Sequence, residues 1–126
     1  MAQILIVEDD LDICETYIDI LENEGHDLHA ITTNAQAVDW LIRQRMKPDV
    51  VILDLNLAGE SGFVVLGLIR RIPKLAKTKV IVASGYPDLA KKAIEKWGAD
   101  LFLPKPVTMD LLKNTVRSLD TSSRAV

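Results

Sequence analysis

A single cysteine, Cys14, is all the thiol chemistry this sequence holds, so no intramolecular disulfide is available. The chain therefore reads as a protein of a reducing compartment, the cytoplasm. Long apolar runs are missing as well. Val50-Val51-Ile52-Leu53 is closed on both sides by Asp49 and Asp54, far short of the ~20 residues a membrane helix needs. The opening MAQILIVEDD reaches acids before the apolar core of a signal peptide could form. Basic blocks are absent too: 15 Lys and Arg stand against 18 Asp and Glu, a net charge of −3. A surface gripping nucleic acid directly needs clustered cations to neutralise phosphates, so that class is excluded. No sequence repeat, low-complexity segment or Pro/Gly/Ser-rich linker interrupts the chain. At 126 residues it is also too short for a two-domain enzyme.

What is present is enough to bury a core: 48% of residues are hydrophobic and 26% charged, the balance of a globular domain. One domain is expected over residues 1–120, followed by a polar tail, Thr121 to Val126, that is a frayed end or the stub of a linker. Short runs rich in Val, Ile and Leu recur at Gln3 to Val7, Val50 to Leu53, Val80 to Ala83 and Asp100 to Leu103. Continuous runs of that length suit strands buried on both faces of a parallel sheet. Leu28 to Ile31 alternates partly and suits an edge strand. Between the strands lie helical stripes: Ile13, Tyr17, Ile20 and Leu21; Ala37, Val38, Leu41 and Ile42; Leu89, Ala90, Ala93, Ile94 and Trp97; Leu111, Leu112, Val116 and Leu119. Phe63 to Arg70 is apolar nearly all round and is assigned as a helix by its position between two strands. Gly25 and Gly98 match helix stops, while Asn34 and Thr108 with Asp110 match helix starts. Five strands alternating with five helices predict a doubly wound α/β domain, since right-handed crossovers put helices on both faces of one parallel sheet.

Ligands of an open α/β sheet bind at the carboxyl ends of its strands, where the strand order reverses. Four of the five predicted strands end in a reactive group: the first in Glu8-Asp9-Asp10, the third in Asp54, the fourth in Ser84, and the fifth is followed by Lys105 and Pro106. Carboxylates gathered at one edge repel unless a cation sits among them. Oxygen-only ligands with no His or Cys nearby favour a hard ion, Mg²⁺ above all. A lysine and a hydroxyl beside such an ion are the groups that hold phosphoryl oxygens.

In this order and spacing, ILIVEDD, VVILDLNLAGESG, VIVASGY and LFLPKP resemble the receiver domain of two-component response regulators over roughly Gln3 to Leu119. The resemblance implies the flavodoxin-like sheet order 2-1-3-4-5. It implies that Asp54 is the phosphoacceptor, attacking a phosphohistidine or a small acyl phosphate. It also implies that Glu8, Asp9, Asp54 and the backbone carbonyl of Asn56 hold Mg²⁺, with Asp10 left as a helix-start residue. Ser84, thirty positions after Asp54, and Lys105 match the hydroxyl and ammonium that contact the phosphoryl group. Phe102 matches the aromatic switch position that works with Ser84, and the Lys105–Pro106 bond is commonly cis in the family. The domain would be no enzyme in the ordinary sense, but a phosphoacceptor that catalyses its own phosphorylation and dephosphorylation. Its output face would be the fourth helix, fifth strand and fifth helix. Departures from the family pattern fall at Ala58, where proline is frequent, at Gly85, where alanine is common, and at Phe102, where tyrosine is frequent.

The resemblance further implies a histidine kinase or histidine phosphotransfer protein as phosphodonor, and a downstream target or fused output domain as receiver of the signal. It leaves dimerisation through the output face open. Leu11, Cys14 and Ile18 make a second apolar stripe on the first helix, and with Pro106 they are the expected docking surface for the donor. Rival readings are a phosphorylation-independent pseudo-receiver, a small Mg²⁺-dependent phosphatase of the haloacid-dehalogenase type and a flavin-binding electron carrier. The phosphatase is disfavoured because Asn56 stands where an acid is wanted, and the flavin carrier because Glu8 to Asp12 is acidic where a phosphate cradle is wanted. His26 and His29 are expected at the surface, Trp40 and Trp97 in the core, and Lys91, Lys92 and Lys96 on a solvated helix face.

Overall fold

The computed structural model describes residues 2–43, 47–57 and 59–119. Ala58 and the tail from Thr121 to Val126 lie outside the described residues. The elements run β1 (Gln3–Val7), α1 (Leu11–Asn23), β2 (Asp27–Ile31), α2 (Asn34–Arg43), β3 (Val50–Asp54), a small hairpin pairing Asn56–Leu57 with Glu60–Ser61, and α3 (Phe63–Arg71). A 3₁₀ turn at Pro73–Leu75 leads into β4 (Lys79–Ser84), α4 (Pro87–Trp97), β5 (Leu101–Pro104) and α5 (Met109–Leu119). The five long strands form one parallel sheet, as the alternating pattern predicts, in the order β2-β1-β3-β4-β5 that the resemblance implies.

The continuous apolar runs are explained by two cores, one on each face of the sheet. Leu5, Val7, Val51, Leu53, Val80 and Val82 face one way, against Ala37 and Leu41 of α2, Val65, Leu66 and Ile69 of α3, and Ala90 and Ala93 of α4. Ile4, Ile6, Val50, Ile52 and Ile81 face the other way, against Cys14, Tyr17 and Leu21 of α1 and Leu112 and Val116 of α5. Burying such a side chain contributes about 1.5–3 kcal/mol, so neither parity of the strand sequence tolerates a polar residue until the strand ends.

The helix boundaries follow from local chemistry. Asp10 caps α1, its carboxylate accepting from the N–H groups of Asp12 and Ile13 at 2.9 and 3.2 Å. Thr108 caps α5 through Leu111 N–H at 3.2 Å. Gly98 closes α4 at φ 80°, and Gly25 follows α1 at φ 88°, conformations open to glycine at little cost. α2 starts at Asn34 as expected, with the preceding Thr33 as its cap, the Thr33 hydroxyl accepting Gln36 N–H at 3.1 Å. One expectation is corrected: His26 is buried rather than superficial and accepts Ala2 N–H at Nδ1 at 3.1 Å. His29 does lie at the surface, stacked on Trp40 at 5.2 Å between centroids. Trp40 and Trp97 are half-buried against the core beneath α2, α3 and α4.

Candidate functional site

Parallel register brings the carboxyl ends of the strands to a common edge. Val7 pairs with Leu53, Asp54 with Ala83, and Ser84 with Pro104. Backbone bonds continue past the strands: Leu55 N–H donates to the Ala83 carbonyl at 3.2 Å and Lys105 N–H to the Ser84 carbonyl at 3.0 Å. Glu8, Asp9, Asp54, Asn56, Ser84 and Lys105 thus line one cleft of about 510 Å³.

Two buried carboxylates set its electrostatics. Lys105 Nζ lies 3.3 Å from Glu8 Oε2 and 3.1 Å from Asp54 Oδ2. The other Glu8 oxygen accepts Asp10 N–H at 3.2 Å, and the other Asp54 oxygen accepts Asn56 N–H at 3.0 Å. Glu8 is nevertheless pushed up to about 7, by burial first and by the Asp54 charge second, with Lys105 pulling the other way. Burial works to lower Lys105, but hydrogen bonding to Asp54 and the charges of Asp54 and Glu8 outweigh it and hold the ammonium above its usual range. A carboxyl held near 7 beside a second carboxylate is an edge with surplus negative charge. Carboxylate oxygens of Glu8, Asp9 and Asp54 lie within 4.8 Å of one another, so the donor set fits a hard divalent cation.

Ser84 is buried, and its hydroxyl is engaged within its own turn. Oγ accepts Tyr86 N–H at 2.9 Å and lies 3.4 Å from the Tyr86 carbonyl. Phe102 is half-buried against the core beneath α2, α3 and α4. The Lys105–Pro106 peptide bond is cis.

The expected docking stripe does not survive as drawn. Cys14 is 3% exposed and turned into the α1–α5 core, its S–H donating to the Glu8 carbonyl at 3.2 Å. Burial and the neighbouring acids Glu8, Asp10 and Asp9 push its thiol up to about 11. Ile18 is half-buried against the same core, which leaves Leu11, 66% exposed, as the stripe's outward member. The physical reason is that α1 packs against both β2 and α5 and buries a wide arc. The surface groove instead runs between α1 and the loop after β5, lined by Ile13, Thr16, Tyr17, Pro106 and Val107.

Three supporting residues are not picked out as site residues by the sequence. A Cβ at Gly62 would sit 2.2 Å from the Asp54 carbonyl oxygen, so this position has no room for a side chain. Asn34, read as a helix start, sends its Nδ2 to the Ser61 carbonyl at 3.0 Å. Arg70 donates to the carbonyls of Gly98 and Thr78 at 2.8 and 2.9 Å and to Asp100 at 2.9 Å, tying α3 to the segments that lead into β4 and β5. Gly62 had a faint signal, a glycine just before a helix; Arg70 had none, since it reads as one more solvated helix cation.

A doubly wound parallel sheet with a buried aspartate, two further acids and a lysine at its reversal point defines a class: compact α/β domains that handle phosphoryl groups at an acidic, cation-ready edge. More narrowly, the chain belongs to the response regulator receiver domain family, whose sequence model matches residues 4–117. The response regulator protein FleR of Pseudomonas aeruginosa is 37% identical over 106 residues, 83% of this chain and 22% of FleR. The chain thus spans under a quarter of that relative's length. The solved signal receiver domain of a putative LuxO repressor protein from Vibrio parahaemolyticus is 34% identical at a TM-score of 0.80, covering 93% of this chain and 88% of that one. The receiver domain of the sensor histidine kinase PA1611 from Pseudomonas aeruginosa, described with magnesium in its active-site cleft, shares the fold at a TM-score of 0.79 and 22% identity, covering 94% of this chain and 96% of that one. Receiver domains are phosphoacceptors of two-component signalling rather than enzymes with a separate substrate, and they work with kinases and output domains. Among the described residues, no helix is long and apolar enough to cross a membrane.

Proposed function

We propose that Asp54 is the phosphoacceptor and that this domain takes its phosphoryl group from a phosphohistidine on a histidine kinase or histidine phosphotransfer protein in the cytoplasm. An oxygen of Asp54 attacks phosphorus, the phosphorus–nitrogen bond breaks, and the imidazole leaves with its electron pair and takes up a proton. The product is an acyl phosphate on Asp54, which water later hydrolyses. Glu8, Asp9, Asp54 and the Asn56 carbonyl would hold Mg²⁺, which supplies charge neutralisation at the phosphoryl oxygens. Lys105 pairs with a phosphoryl oxygen, exchanging part of its present contact with Asp54 and Glu8 for the new charge. The Ser84 hydroxyl leaves Tyr86 to donate to another oxygen, and Phe102 packs inward behind it, shifting the population of the α4–β5–α5 face toward its signalling state. That face meets a downstream target, a fused output domain or a second copy.

The observation that carries this reading is the Lys105 ammonium set between Glu8 and Asp54, with Asp9 beside them: a cation and a surplus of carboxylate in one cleft. The groove of Ile13, Thr16, Tyr17, Pro106 and Val107 beside it suits the helix of a phosphodonor. The test is intact mass after incubation with acetyl phosphate, with and without Mg²⁺, on the wild type and on Asp54→Asn. A Mg²⁺-dependent adduct of one phosphoryl group, absent from Asp54→Asn, is expected. A folded wild type that gains no adduct under any condition would overturn the reading in favour of a phosphorylation-independent interaction module.

A further inference from the structure

Asn34 stands on α2, outside the set of groups assigned to phosphoryl transfer, yet it is buried to 8% exposure at the first position of its helix. Thr33 already caps that helix, so the Asn34 amide is not needed there. Its Nδ2 reaches 27 residues along the chain to the Ser61 carbonyl, while its Oδ1 is buried with no partner. Buried amides are normally satisfied on both sides; this one gives up half its capacity to hold a single backbone carbonyl. Ser61 faces Asn56 across the two-rung hairpin, and Asn56 N–H binds Asp54 Oδ1 at 3.0 Å. Gly62, the next residue, donates its N–H to the Leu55 carbonyl at 3.0 Å and has no space for a side chain against the Asp54 backbone.

We propose that Asn34 is a positioning residue for the cation site: through Ser61 it fixes the hairpin, and thereby the distance of the Asn56 backbone from the Asp54 carboxylate. The inference rests on the phosphoacceptor reading, because Asn56 matters to a cation only if its carbonyl is a ligand. A short hairpin of two rungs is marginal by itself, and Gly59 at its tip takes φ 86°. An anchor from a neighbouring helix is what such a loop needs to hold a ligand in place.

The test is calorimetric titration of Mg²⁺ into the wild type, Asn34→Leu and Asn34→Gln, with thermal unfolding recorded alongside. Asn34→Leu keeps the branched shape at somewhat greater bulk and removes both the donor and the unmet oxygen, so the fold holds while Mg²⁺ affinity falls about five-fold, the worth of one neutral hydrogen bond. Asn34→Gln, which keeps the donor on a longer stem, recovers part of that affinity; Asn34→Ala reads the same loss should the leucine not fit. Val116→Ala, which loosens the opposite core, leaves Mg²⁺ affinity unchanged. Wild-type affinity in Asn34→Leu, or equal weakening in Val116→Ala at matched thermal stability, overturns the positioning role alone. A wild type that binds no Mg²⁺ overturns the phosphoacceptor reading and this inference with it.

Discussion

Glu8 provides the sharpest check on the electrostatics. Its folded-state pKa is about 7 against an ordinary 4.5, so the folded protein holds this proton more tightly than the unfolded chain does. A group raised on folding contributes stability below its unfolded pKa and loses it as pH rises through the folded value. The window therefore runs from about 4.5 to about 7. At about 1.36 kcal/mol per pH unit, full ionisation of the 2%-exposed side chain withdraws on the order of 3 kcal/mol by pH 8. Glu8→Gln carries no such charge, though it also weakens the contact with Lys105, so its gain over the wild type is smaller, about 1–3 kcal/mol at pH 8. Urea unfolding of both proteins in EDTA at pH 5, 6, 7 and 8 measures the difference. The wild type should be level with or ahead of Glu8→Gln at pH 5 and fall behind it by pH 8, and Mg²⁺ at pH 8 should restore the wild type only. Parallel pH profiles for the two proteins would refute the claim that burial and Asp54 raise Glu8.

Other outcomes follow from single contacts. Arg70→Ala removes the donor to two carbonyls and one of two donors to the Asp100 carboxylate, which keeps Val80 N–H at 2.8 Å, and should lower stability by about 2 kcal/mol, read as a lower urea midpoint at unchanged slope; an unmoved midpoint would show that Arg70 is only a surface cation. Gly62→Ala meets backbone and should cost at least about 2 kcal/mol, whereas Gly59→Ala meets open space and bears only its positive φ, about 1–2 kcal/mol. Equal losses at the two glycines would contradict the close approach to Asp54. Leu11→Glu, at a 66%-exposed position, should change stability by less than about 0.5 kcal/mol, slow phosphotransfer from a cognate kinase and leave labelling by acetyl phosphate untouched. Equal slowing with both donors would remove Leu11 from the docking surface.

The fold was legible because the strand signal is redundant. Ile4 and Ile6 must satisfy one core and Leu5 and Val7 the other, so every residue of the run is apolar and the run stops where the sheet stops. The acids and Lys105 were legible for the same reason, since the first polar residue after a buried strand falls at the carboxyl edge. What stayed hidden depends on contacts across the chain. Cys14 has helical spacing from both Leu11 and Ile18, and only the docking of α5 decides that it points inward. Asn34 has the chemistry of a cap, and nothing local says that Thr33 takes the cap and frees the amide for Ser61. His26 looks like a turn residue until the backbone of Ala2 is seen to need an acceptor. The hairpin at Asn56 to Ser61 is too short to leave a period in the sequence.

Among the described residues the two cores are separate clusters on opposite faces of the sheet, and that gives the domain a grain along which it can be cut. Side chains of α1 and α5 share partners with each other and with one parity of the strands; those of α2, α3 and α4 share the other parity. Exchange between homologous domains should then succeed when α1, α5 and the inward residues of their parity travel together, although they lie at opposite ends of the chain, and fail at a single crossover in the middle. Lineages are free to remodel one flank while the other stands still, and the edge carrying Glu8, Asp54 and Lys105 is the seam where both flanks must continue to agree.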